Sequence, residues 1–96
     1  MTLELCVLLW AAENLDDALT EYEDTVLALV PKHGGRVVSR VRRISDGDGP
    51  REVQVIHLPD DAALQAYMSD PERVALADVH RRVVARTEIL TVDTIV

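Results

Sequence analysis

Two side chains could do chemistry together. His57 interrupts the largely apolar run Val53–Leu58, and Arg40 lies in the neighbouring β-branched run Arg36–Ile44. An imidazole titrates near neutral pH and can give or take a proton. A guanidinium offers a planar fork that holds a carboxylate or an enolate oxygen. If Ile56 and Leu58 pack on helices, strand alternation turns Val53, Val55 and His57 to the opposite face. Arg40, placed on one face with Val38 and Arg42, would flank the same space. The pair is therefore assigned as acid/base (His57) and anion holder (Arg40). The competing readings are structural: a rim or interface histidine bonded to a neighbour, and an ordinary arginine–carboxylate ion pair.

Three further residues are candidates for ligand binding. Trp10 and Tyr67 would line a pocket for an aromatic or polyketide-like molecule, or else pack in the core or a dimer interface. His80 falls on an inward stripe with Leu76, Val83 and Val84, where it would reach a ligand between helix and sheet or simply be a satisfied helix-margin histidine. Tyr22 lies in an apolar helical stripe and reads as core. Cys6 has no activating neighbour visible in the sequence and reads as a small buried apolar residue. His33, His57 and His80 lack metal-ligand spacing, so no metal is assigned. The chain has no Gly-x-Gly-x-x-Gly, P-loop, nucleophile elbow or metalloprotease helix, which excludes nucleotide or flavin use through a standard motif. No cofactor is assigned.

These residues must be positioned by a small set of elements. Leu3–Ala12 is strand-like, apolar on both alternating faces with only Glu4 polar. A strand with one wet face should alternate cleanly. Asn14 is the expected N-cap of a first helix, with Asp16 and Asp17 in its first turn. Leu15, Ala18, Leu19, Tyr22, Val26, Leu29 and Val30 form its inward stripe, and Asp16, Asp17, Glu21, Glu23 and Asp24 its solvated face. Pro31 and Gly34-Gly35 end it. Arg36–Ile44 and Arg51–Leu58 form a hairpin across the turn cluster Ser45-Asp46-Gly47-Asp48-Gly49-Pro50. After Pro59, Asp60 or Asp61 caps a short helix carrying Leu64, Tyr67 and Met68 inward. Ser69 and Glu72 fit a capping box, and Pro71 a first turn, so a new helix is expected over Pro71–Ala85. Thr87–Val96 closes the chain as a strand.

Composition narrows the function. Ninety-six residues suit one domain, residues 1–96, near the lower end of a self-sufficient core. The net charge of −7 disfavours nucleic acid and anionic membranes. Phe is absent, leaving Trp10, Tyr22 and Tyr67 as the only rings for stacking on bases. The first apolar run is too short to span a bilayer, which takes roughly 20 residues. No basic region precedes it, and the single cysteine requires no oxidising compartment. A cytoplasmic location is the expectation.

The order βαββαβ, with its second helix broken near Asp70, defines an α+β, ferredoxin-like fold: a four-stranded antiparallel sheet with both helices on one face. The other face would show Cys6, Leu8, Trp10, Val53, Val55, Leu90 and Val92. That patch is anomalous on a monomer, and packing two sheets face to face removes it. A homodimer through the sheet faces is expected. The segments His33-Gly34-Gly35-Arg36-Val37-Val38, Val55-Ile56-His57-Leu58-Pro59 and Ala66-Tyr67-Met68-Ser69-Asp70-Pro71-Glu72, with Tyr-Glu in the first helix, resemble the dimeric α/β-barrel superfamily. The resemblance covers nearly the whole chain and is nearest to a branch of small domains of unknown function. Where an acidic residue is expected two before the strand-ending proline, this chain has His57, so no role of that acid transfers. The superfamily includes cofactor-independent monooxygenases, polyketide cyclases, isomerases and haem-degrading proteins. The resemblance implies a small enzyme acting without a bound cofactor on a hydrophobic, oxygen-rich molecule. The alternative is a non-catalytic dimer that binds a small ligand or stabilises an assembly.

Overall fold

A computed structural model describes residues 2–95. Strand β1 (Leu3–Ala11) leads to helix α1 (Asp16–Leu27), a 3-10 turn (Val30–His33), strands β2 (Arg36–Arg42) and β3 (Glu52–Leu58), helices α2 (Asp61–Met68), α3 (Pro71–Val74) and α4 (Ala77–Val83), and strand β4 (Val84–Thr91). The strands form one antiparallel sheet in the order β2-β3-β1-β4, with β1 and β3 central. This is the ferredoxin-like arrangement the element order implies, with the helices on one face.

That face is built by alternation. Leu5 and Leu9 of β1 and Ile56 and Leu58 of β3 are buried beneath the helices. Against Leu9 pack Leu19, Tyr22 and Val26 of α1 and Val83 of α4; against Ile56 and Leu58 pack Leu27, Val30 and Tyr67. Gly35 lets β2 enter close to β3: a Cβ there would stand 2.5 Å from the His57 carbonyl oxygen.

Several boundaries differ from the sequence expectation. Asn14 is not the cap of α1: its φ is +63°, in the left-handed region, and Leu15 occupies the cap position without a side-chain bond. The helix ends at Leu27, and Pro31 joins the 3-10 turn, which stops at Gly34 in the left-handed conformation. The expected capping box is absent. Asp70, not Ser69, caps α3, accepting from the Glu72 backbone N–H at 2.9 Å, while the Ser69 hydroxyl donates to the Gln65 carbonyl at 2.8 Å. The helix expected over Pro71–Ala85 is two short helices, and β4 begins at Val84 rather than Thr87. It stops at Thr91; Val96, the expected last strand residue, lies outside the described residues.

One irregularity decides which side chains meet. Val37 pairs with Ile56 but Ser39 pairs with Val55, so Val38 is an extra residue, a β-bulge. Beyond it the alternation of β2 is inverted. Arg40 and Arg42 stand opposite Gln54 and Glu52 on the helix face, and Ser39 and Val41 turn to the open face.

Candidate functional site

The bulge separates the two residues expected to act together. His57, cross-strand from Glu4 and Arg36, is on the open face. Arg40 is on the helix side. There its Nε and Nη2 donate to the two Glu52 carboxylate oxygens at 2.7 and 2.9 Å, and Nη1 donates to Asp24 at 2.6 Å. The expected convergence of His57 and Arg40 is therefore corrected: the sheet lies between them, and the Arg40 fork is committed to Glu52. Trp10 is also apart, on the open face. Its indole N–H donates to the Asp48 carbonyl at 3.0 Å, and the Arg86 guanidinium stacks 4.4 Å from its ring.

Tyr67 and His80, by contrast, do line a common space. A cavity of about 270 Å³ lies between the helices and the sheet. Its walls are mostly apolar, with Val7 of β1, Leu27 of α1, Ile56 of β3 and Leu64 of α2 among them. Its exposed lining residues, Met68, Thr87 and Ile89, mark an opening between α2 and the edge strand β4. Into it project Glu23 from α1, Gln54 from β3, Tyr67 from α2, Arg73 from α3 and His80 from α4. Few polar groups converging on an apolar hollow is the pattern of a small-molecule site.

Glu23 is the unexpected member. It is only 6% exposed. Burial pushes its carboxyl above the usual range, reinforced by the Glu52 charge and opposed by the hydrogen bond from Gln54 and by the Arg73 and Arg40 charges. Gln54, 1% exposed, donates through one amide nitrogen to Glu23 at 2.8 Å and to Glu52 at 3.0 Å. Burial also works to raise Glu52, but bonds from Arg40 and Gln54 outweigh it and hold Glu52 below its ordinary value. The result is a chain of contacts, Glu23–Gln54–Glu52–Arg40, in which one carboxyl is neutralised by a cation and the other protonates more readily. Two carboxyls in unlike surroundings can thus carry unlike protonation at one pH.

The remaining groups are also tuned. Burial, then the Arg73 charge, lowers His80, which favours a neutral imidazole. Burial pushes Tyr67 up to about 12, so its hydroxyl keeps its proton. That hydroxyl donates to the Val26 carbonyl at 3.2 Å and accepts from Arg73 Nη1 at 3.2 Å. Tyr22, buried in the core as expected, lies with its ring 5.6 Å from that of His80.

The sequence held a signal for Glu23. It sits four residues after Leu19 and four before Leu27, within the apolar stripe rather than opposite it. Glu52 and Gln54 likewise continue the inward alternation of Ile56 and Leu58. Arg73 carried no such signal, because the break between α3 and α4 sets its direction. Among the described residues no three His, Cys, Asp or Glu side chains are grouped to hold a metal, and no helix is long and apolar enough to cross a membrane.

The fold has solved relatives. A protein of Pseudomonas aeruginosa superposes with a TM-score of 0.78 at 15% identity, over 99% of this chain and 95% of the other. A protein of Bacteroides fragilis, described as dimeric, of unknown function and ferredoxin-like, gives 0.71 at 11% identity, over 97% and 96%. A dabb family protein of Mesorhizobium loti with a ferredoxin-like fold gives 0.66 at 17% identity, over 98% and 97%. Such distant likenesses establish the fold alone. No curated protein matches the chain. The sequence profile of a domain of unknown function, DUF1330, matches residues 12–95, and the chain belongs to that family.

Proposed function

We propose that this protein is a small cytoplasmic enzyme of one ferredoxin-like unit that works as a homodimer. It moves a proton on a hydrophobic, oxygen-bearing small molecule held in the helix-side cavity, with no bound cofactor. The observation that carries the reading is the convergence, from four different helices and a strand, of Glu23, Gln54, Tyr67, Arg73 and His80 on one apolar hollow. In its ionised form Glu23 takes a proton from a carbon next to a carbonyl. The C–H electron pair moves into an enolate, whose oxygen Arg73 holds. The proton returns from Glu23 or is relayed by neutral His80, giving an isomerised product. A carboxyl pushed upward by burial is a better base near neutral pH than an ordinary glutamate. The anion-holding role expected of Arg40 passes in this reading to Arg73.

The dimer reading rests on the open sheet face, where Val41 and Leu90 are 59% and 53% exposed beside Leu8, Val53 and Val55, and on the dimeric Bacteroides fragilis relative. His57 and Trp10 would then lie between two sheets rather than in the cavity. The cytoplasmic placement rests on the lone cysteine.

The test is exchange. Incubation with a small-molecule extract in D2O, followed by mass spectrometry, should reveal a compound that gains deuterium with the wild-type protein and not with Glu23→Gln. A compound that is retained in the cavity without exchange would instead support the non-catalytic binding dimer.

A further inference from the structure

Four arginines are half-buried: Arg40, Arg43, Arg51 and Arg73. Three of them have strong acceptors. Arg40 pairs with Glu52 and Asp24, Arg43 donates to the Ser45 and Gly49 carbonyls, and Arg51 reaches the Arg43 carbonyl and Asp17. Arg73 has a single bond, to the neutral Tyr67 hydroxyl, and forms no ion pair among the described residues. A half-buried guanidinium has lost part of its hydration and gains most from a charged acceptor. This one lines the cavity and leaves most of its donors for a ligand.

Its placement is fixed from below. Arg73 is the third residue of α3, whose first turn is capped by Asp70. The Asp70 side chain is fully buried and is gripped by Lys32 at 2.9 Å and His33 at 2.7 Å, which ties α3 to the turn before β2. The Tyr67 ring lies 4.8 Å below the guanidinium carbon, and its hydroxyl is itself held by Val26. A cation held in place without a charged acceptor is a preorganised anion site.

We propose that the cavity takes a singly charged carboxylate with a compact apolar body, its carboxylate paired with Arg73 and its body against Val7, Leu27, Ile56 and Leu64. This names the ligand class of the site described above and rests on that site being a small-molecule cavity. A single guanidinium matches one negative charge and the planar geometry of a carboxylate. A dianion such as a phosphate monoester would meet the Glu23 carboxyl in the cavity wall and a chain of net charge −7. At roughly 30 Å³ per water-sized group the cavity holds about nine such groups, the size of a short-chain or single-ring acid.

Calorimetric titration of the 96-residue chain with octanoate, octanol and octyl phosphate tests this, on wild type and on Arg73→Gln and Arg73→Lys. Octanoate should bind about tenfold or more tightly than octanol, as a charge-assisted pair implies. Arg73→Gln should remove that advantage while leaving octanol binding unchanged, and Arg73→Lys should restore part of it. Unchanged octanol binding also shows that the variant retains the cavity. If octanol binds as well as octanoate, or octyl phosphate binds best, the carboxylate assignment is overturned and the cavity reading stands. If neither octanol nor octanoate binds, both fall.

Discussion

The two faces of this sheet carry different side chains and different unmet needs. On the helix side, strands β1 and β3 bring Leu5, Leu9, Ile56 and Leu58 against a core, while Glu52 and Gln54 extend the same face into a bonded polar chain. What is missing there, among the described residues, is a charged acceptor for Arg73. On the open side, β1 and β3 present Leu8, Val53 and Val55 with no helix above them among the described residues. What is missing there is cover. A polar group without a partner calls for a ligand of matching charge, whereas an apolar face without cover calls for another apolar face. In the function proposed above, a small molecule meets the first need and a second copy of the chain the second.

Adjacent residues of β1 put this contrast to its strongest test. Leu9→Ala removes a side chain 3% exposed in the helix-side core and should cost roughly 2–5 kcal/mol in urea unfolding. Leu8→Ala should cost far less of the protomer's own stability and act instead by weakening association. Equal losses from both would erase the distinction between the faces. Leu8→Glu goes further, because an unpaired charge cannot be buried between two sheets. Sedimentation at micromolar concentration should find a dimer for the wild type and a folded monomer or insoluble protein for the variant. A wild-type monomer would break the open-face half of the comparison.

The helix side has its own signature in pH. Glu23 has its folded-state pKa raised above the value of about 4.5 it has in the unfolded chain. Ionisation therefore destabilises the fold: the stability associated with the protonated group is fully present below pH 4.5 and is lost as pH rises through the folded pKa. Glu23→Gln keeps a neutral acceptor for Gln54 and should raise the melting temperature at pH 7–8, with no gain near pH 4. A variant that lowers stability at pH 7 would show that the ionised carboxylate is the favoured form.

The order of strands and helices was legible in the sequence because it rests on long periodic stretches: the doubly apolar β1, the stripe of α1 and the turn cluster before β3. The dimensions of the site were not, for two local reasons. Val38 bulges, and one extra residue turned Arg40 away from His57 and toward Glu52; nothing in Arg36–Ile44 marks which residue is the extra one. Glu23 was assigned to the solvated face because glutamate so often is, although its spacing from Leu19 and Leu27 points inward. Tyr67 and His80 line the helix-side cavity because their helical spacing from apolar neighbours turns both rings inward.

Caps give the smallest effects and still distinguish two readings of the broken helix. Asp60 accepts from the Ala63 N–H at 2.8 Å, and Asp60→Ala should cost about 1 kcal/mol. Ser69→Ala, which would cost as much if Ser69 were the cap of α3, should cost no more than about 0.5 kcal/mol, since Asp70 holds that place.

The most direct test of the division between the faces is a methyl-labelled NMR titration. Methyl groups of Leu9, Leu27, Ile56 and Ile89 report the cavity side, and those of Leu8, Val53, Val55 and Leu90 report the open side. Adding octanoate should shift the first set and leave the second unchanged, whereas diluting the protein should shift the second and leave the first. Octanoate shifts confined to Leu8, Val53, Val55 and Leu90, with Leu9, Leu27 and Ile56 unmoved, would place the ligand on the open face and contradict the account.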